Sequence, residues 1–127
     1  MKDFIRVMKA LADPNRVRVI KLLEEDRALC VCEIQALLGL AQSTVSKHLK
    51  ILEDAGLVER QRQGSWIIYS LCRQADNPYR AVILREIKGW LNDDQELCDM
   101  RQRLPEVACL RQDGEISSLK KAAGPDV

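Results

Sequence analysis

Aromatic side chains are scarce: one Phe, two Tyr and two Trp among 127 residues, 4% in all. A core so poor in rings has to be filled by aliphatic residues, which suits a helical protein. No run approaches the roughly 18 apolar residues of a membrane helix, and the N-terminus lacks the apolar core of a secretory signal. The chain is therefore expected in the cytoplasm, with no membrane partner. Histidine is nearly absent too, His48 being the only one. With no nucleophile–base pair and no phosphate-cradling loop in view, an enzyme is not expected. A surplus of one charge is also missing, and the net +1 argues neither for nor against nucleic acid.

What is present fits one domain: 46% hydrophobic and 31% charged residues are an ordinary soluble balance for this length. Five cysteines in a cytosolic chain are expected to be free, metal-binding or redox-active rather than disulfide-bonded. The charge is unevenly placed. Residues 1–22 hold six basic and two acidic side chains, whereas 86–106 hold six acidic and three basic. Such a polarised molecule could turn one side to DNA.

The organising stretch is Cys32 to Leu71. Ile34, Leu37 and Leu38 lie on one face of a short helix, Gly39-Leu40-Ala41 interrupts, and Gln42 to Ala55 resumes with Val45, Leu49 and Leu52 inward. Gly56 can take the left-handed conformation that ends a helix, with Leu57 packing back. Two helices joined by a three-residue turn predict a helix-turn-helix, whose second helix enters the DNA major groove. Its outward face offers Gln42, Ser43, Thr44, Ser46, Lys47 and Lys50, groups that read base edges and hold phosphates. His48 sits beside the inward stripe, where packing or a phosphate contact fits better than a metal. Val58–Arg62 and Trp66–Leu71 predict a two-stranded hairpin, in which Arg60 and Arg62 alternate with Glu59 and Gln61 and could meet a phosphate backbone. The fold expected is mainly α with a β-hairpin wing.

Leu29-Cys30-Val31-Cys32-Glu33-Ile34, then Gly39 to Leu52, then Ala55-Gly56-Leu57-Val58, resembles the ArsR/SmtB family of metal-responsive winged-helix repressors. Ala12-Asp13-Pro14-Asn15-Arg16 matches that family's usual opening, and the resemblance spans roughly Phe4 to Leu91. It implies a dimer through the first and last helices.

The flanks agree with such a frame. Phe4, Ile5, Met8 and Leu11 predict one face of a first helix, Asp13 caps a second begun by Pro14 or Asn15, and Val19, Ile20, Leu22 and Leu23 are its core face. Val82, Ile83, Ile87, Trp90, Leu91 and Leu97 predict one long amphipathic helix over Tyr79–Leu97. A small domain with one recognition helix works by default as a two-fold dimer on a palindromic operator. Residues 1–97 are read as the DNA-binding and dimerisation domain and 98–127 as an extension, a mobile tail from about 111.

Cys30 and Cys32 are the second candidate site. An i, i+2 spacing is poor for chelation inside a regular helix but points both thiols one way in an extended segment. Cys32, with Gln35 three residues on, stands where an N-cap would, and helix N-termini favour the thiolate that binds metal. The Cys-Val-Cys segment looks like the arsenic(III)/antimony(III) sensors of the family and also like its cadmium/lead sensors. Position 35 holds Gln where arsenic sensors often place another Cys, and no Cys precedes Cys30 as in cadmium sensors. The third ligand stays open among Cys72, Cys98 and Cys109. The family's other sensory site, His with carboxylates on the last helix, is not supported: Asp93, Asp94 and Glu96 are there, but no His.

The favoured function is a repressor that leaves its operator when arsenic(III) or antimony(III) binds the thiolates. Cadmium or lead, or redox and sulfur species at the same cysteines, are alternatives. A winged-helix module that binds protein is the alternative of another class, and the charges at Lys47, Lys50, Arg60 and Arg62 argue against it.

Overall fold

The computed structural model describes residues 1–72 and 78–108. Its order is α1 (Lys2–Ala10), α2 (Pro14–Leu22), β1 (Leu29–Cys30), α3 (Val31–Leu38), α4 (Gln42–Asp54), β2 (Val58–Gln63), β3 (Trp66–Leu71), α5 (Pro78–Glu86), a 3-10 turn (Ile87–Gly89) and α6 (Gln95–Gln102). A further helical stretch covers 104–108. The tail expected from about 111, and Cys109, lie outside the described residues.

Local chemistry accounts for the ends of the helices. The Asp13 side chain accepts from the Asn15 and Arg16 N–H groups and Pro14 opens α2, as the sequence predicts. Burial pushes the Asp13 carboxyl up, but those two N–H bonds and the neighbouring Arg16 guanidinium outweigh it and hold it below its ordinary range. Gly39 ends α3 at φ 68°, its N–H returning to Gln35 O at 2.8 Å. Gly56 turns the chain out of α4 at φ 75°, and a Cβ there would come within 2.8 Å of the Arg80 side chain.

The apolar stripe of α4 is fully inside: Val45, Leu49 and Leu52 join Val19, Ile20 and Leu22 of α2, its cap Leu23, Ile34 and Leu37 of α3, and Leu57 in one core. Each such side chain contributes about 1.5–3 kcal/mol by leaving water. The core is aliphatic, in keeping with the shortage of rings.

The wing gains a strand. β3 pairs with β2 from Val58↔Leu71 to Gln63↔Trp66, and on its other side β1 adds Leu29↔Tyr69 and Cys30↔Ile68. The sheet order is β1-β3-β2 rather than a lone hairpin. Two residues carry no readable alternation, and only the partner strand makes them extended.

Two sequence expectations are corrected. The first helix buries Val7 and Ala10, while Phe4, Ile5 and Met8 of the expected inward face remain at the surface. Its apolar arc is wider than the contact it makes, and the narrower part faces the core. The single helix over 79–97 is instead α5, the 3-10 turn and α6. Asn92 Nδ2 donates to Lys88 O at 2.8 Å, Leu91 takes φ 63°, and Asp94 caps α6 by accepting from Leu97 N–H at 3.0 Å. Asn and Asp compete with helix continuation through such local bonds.

The break returns α6 to the core, where Leu97 and Met100 are buried. Beside them lies a buried ion cluster. Lys21, 0% exposed, pairs with Glu24 at 3.0 Å and donates to Ile87 O at 2.7 Å, while Arg101 reaches Glu24 at 3.1 Å. Removing one partner of a buried pair costs about 3–5 kcal/mol. Lys21→Ala is therefore expected to lower the unfolding free energy by about that amount in urea titration. Exposed Ser46→Ala should change it by less than about 0.5 kcal/mol.

Candidate nucleic-acid interface and cysteine site

Because Val45, Leu49 and Leu52 are drawn inward, α4 must present Gln42, Ser43, Thr44, Ser46, Lys47 and Lys50 to solvent, and all six are exposed. Its N-cap is Ala41, which has no side-chain acceptor, so the first-turn N–H groups join that polar surface. His48 is half-buried at its margin, with Nδ1 3.3 Å from a guanidinium nitrogen of Arg16. The cations further along are engaged. Lys50 pairs with Asp54 at 3.2 Å, Arg60 with Glu53 at 3.4 Å, and Arg62 donates to Gly64 O at 3.2 Å. Arg60 and Arg62 stand opposite Tyr69 and Ile67, on one face of the wing, and the Arg60–Glu53 pair turns that face toward α4.

The cysteine pair is divided. Cys30, not Cys32, is the N-cap of α3, and Glu33, not Gln35, is its capping-box partner: the Glu33 N–H meets the Cys30 sulfur, and Cys30 N–H donates to Glu33 Oε1 at 2.9 Å. The expectation placed the helix start two residues late, because the extended β1 fixes the boundary and lies outside the local pattern. Cys30 is 3% exposed and packs with Trp66 and Ile68 of the wing, whereas Cys32, inside the first turn, is exposed.

Burial pushes the Cys30 thiol up to about 12. The Glu33 N–H lowers it, but the Glu33 carboxylate and Cys32 raise it further. The expectation that a helix N-terminus would favour the thiolate fails at this residue, since desolvation outweighs the N–H bond. Cys30 is a neutral thiol near pH 7.

Two further sulfurs among the described residues lie on other parts of the fold. Cys72 follows β3 and is half-buried, its N–H donating to Leu57 O. Cys98 lies on α6, its thiol donating to Asn92 O at 3.3 Å. Among the described residues no three His, Cys, Asp or Glu side chains converge as a metal site. The pair supplies two sulfur donors, one of them buried and protonated.

The family model of bacterial regulatory proteins of the arsR family matches residues 13–60, from the cap of α2 into the wing. The chain is 34% identical over 108 residues to the arsenic resistance transcriptional regulator ArsR1 of Pseudomonas putida, covering 81% of this chain and 84% of that one. The chain belongs to the arsR family. A second relative, the arsenical resistance operon repressor of Bacillus subtilis, is 30% identical over 86% of this chain and 91% of its own. Among solved structures, the homodimeric winged helix-turn-helix DNA-binding domain of a possible ArsR-family regulator from Mycobacterium bovis superposes with a TM-score of 0.57. It is 28% identical and covers 68% of this chain and 76% of that one.

Within this arsR-family fold, three features had gone unread. The sequence shows Trp66 as a strand residue, Arg16 as a basic residue of the opening motif and Arg103 as one of the three basic residues of 86–106, without their contacts. Arg103 donates to Ala36 O at 2.9 Å and Leu37 O at 3.5 Å, so the α6 end caps the last carbonyls of α3. All three bonds or contacts join residues far apart in sequence, where no local signal exists.

The divided pair predicts unequal chemistry. At pH 8, iodoacetamide followed by peptide mass spectrometry should modify Cys32 much faster than Cys30. Because the folded Cys30 thiol lies above its ordinary 9.0, its contribution to stability is complete below pH 9 and is lost as pH rises toward 12. In urea titrations the wild type should therefore lose more stability than Cys30→Ala across that window.

Proposed function

We propose that the protein is a homodimeric transcriptional repressor that binds a palindromic operator through α4 and the wing. It leaves that operator when arsenic(III) or antimony(III) engages Cys30 and Cys32. The observation that carries this reading is the seat of Cys30, whose one side chain caps α3 and packs against Trp66 and Ile68 of the wing. A sulfur so placed cannot ligate anything without losing its proton, leaving the capping box and withdrawing from Trp66 and Ile68. Both elements that flank α4 are then disturbed together.

The DNA contacts follow from side-chain type. Gln42, Ser43, Thr44 and Ser46 suit base edges, and Lys47, His48, Lys50, Arg60 and Arg62 suit phosphates. The Lys50–Asp54 pair is solvent-exposed and the Arg60–Glu53 pair partly so; such pairs are worth about 0–1 kcal/mol at a surface, so phosphates can replace the carboxylates at little cost. The dimer is supported by the apolar surface that α1 and α5 share. Phe4 and Met8 stand with Tyr79, Val82 and Ile83 around a 290 Å³ groove, and the Phe4 and Tyr79 rings meet edge-to-face at 5.3 Å. Soft thiolate donors favour ions such as arsenic(III) over magnesium or calcium. The names of the Pseudomonas and Bacillus relatives point to the same inducer.

The test is an arsenite titration of reduced protein bound to its own promoter DNA, followed by fluorescence anisotropy. Wild type should release the DNA, and Cys30→Ser/Cys32→Ser should hold it. Tight binding indifferent to arsenite would overturn the inducer and direct the search to cadmium, lead or oxidants. No DNA binding at any salt would favour a protein-interaction module instead.

A further inference from the structure

We propose that Arg16 is a positioning residue for the recognition helix, acting through His48 to hold α4 in register with α1. The proposal rests on the reading of α4 as the DNA-contacting helix. Arg16 lies in the first turn of α2, and its guanidinium is spent in three directions. Nε donates to Ala10 O at 2.7 Å, Nη2 to Lys9 O at 3.2 Å, and Nη1 faces His48 Nδ1 at 3.3 Å. The first bond satisfies the Ala10 carbonyl at the C-terminal end of α1, where a helix leaves carbonyls without internal partners, and the second adds to the Lys9 carbonyl, which also accepts from Ala12 N–H. The third crosses to α4. A single planar fork thus ties the end of α1, the start of α2 and the middle of α4, and Asp13 fixes the backbone beneath it by accepting the Arg16 N–H at 3.1 Å.

The chemistry of the fork decides the state of the ring. A guanidinium has only donors, so His48 Nδ1 must offer its lone pair, and the neutral ring carries its proton on Nε2. Nε2–H is then the donor left for a phosphate. An Arg matters here because the rigid fork spans three acceptors at once, which an ammonium on a flexible stem does not. The tie also has a consequence at the level of the dimer. The same α1 whose Phe4 and Met8 are exposed beside α5 is joined to α4, so in the proposed dimer this junction would link the α1–α5 face to the recognition helix.

His48 is the only histidine, which makes its ring directly observable. Long-range proton–nitrogen NMR correlation on the full chain should show the Nε2–H tautomer in wild type and a mixture in Arg16→Lys. A wild-type ring protonated at Nδ1 would overturn the tie. In anisotropy titrations with promoter DNA, Arg16→Lys and His48→Leu should each weaken binding about tenfold, the loss of roughly one charge-assisted hydrogen bond. Because one residue acts through the other, the double variant should fall within about twofold of the weaker single variant. Independent losses multiplying to about a hundredfold would overturn action through His48. Arg16→Lys binding as wild type does would overturn it as well. Failure of wild type to bind DNA at low salt would remove the DNA reading instead, and the ring spectrum would still decide the tie.

Discussion

The junction at Cys30 is the constraint on which the working parts of this molecule converge. There the strand β1 ends, α3 begins, and one side chain packs with Trp66 and Ile68 of the wing. The reciprocal bonds with Glu33 satisfy backbone donors that a buried helix start would otherwise leave bare, an omission that costs about 1–3 kcal/mol per group. Sulfur is an unusual choice for that task, since Ser, Thr, Asp and Asn are the stronger caps. A thiol gives up capping strength and gains an atom that soft ions seek.

The pair is therefore asymmetric by construction. Cys32 meets solvent in the first turn of α3, while Cys30 is held neutral by desolvation and by a carboxylate beside it. In the proposed reading a soft ion would meet the exposed sulfur first, and reaching Cys30 would cost a cap and a packed cluster. That cost would couple binding to the fold, because an ion with no differential affinity for the two arrangements would shift nothing. At its other end α3 is held by Arg103, so the short helix before the recognition helix is fixed at both termini by contacts from distant parts of the chain.

The second half of the chain serves the fold as well as the proposed dimer. By breaking at Asn92 to Asp94 it divides its apolar surface between two tasks. α6 sends Leu97 and Met100 into the core and Arg101 to the buried Lys21–Glu24 pair, while α5 keeps Tyr79 and Val82 at the surface beside Phe4 and Met8. Charge burial at Lys21 is tolerable because carbonyls of the 3-10 turn and the Glu24 carboxylate replace its water. The −3 segment seen in the sequence is partly consumed in this packing, Glu96 meeting Arg18 at 3.3 Å.

By itself the sequence determined what depends on neighbours a few residues apart: the apolar period of α2, α3 and α4, the Asp13 cap, the turns at Gly39 and Gly56, the β2–β3 hairpin, and the polar face opposite Val45, Leu49 and Leu52. Those features follow from helix and strand periodicity and from backbone preferences that each segment carries alone. Tertiary structure decided the rest. It made Cys30 rather than Cys32 the cap, because β1 exists only when β3 is beside it. It raised the Cys30 thiol, because burial depends on Trp66 and Ile68, more than thirty residues away. It also assigned Phe4 and Met8 to the surface and Lys21 to the interior, since an amphipathic pattern records which residues are apolar, and only packing settles which of them find a partner in the same chain.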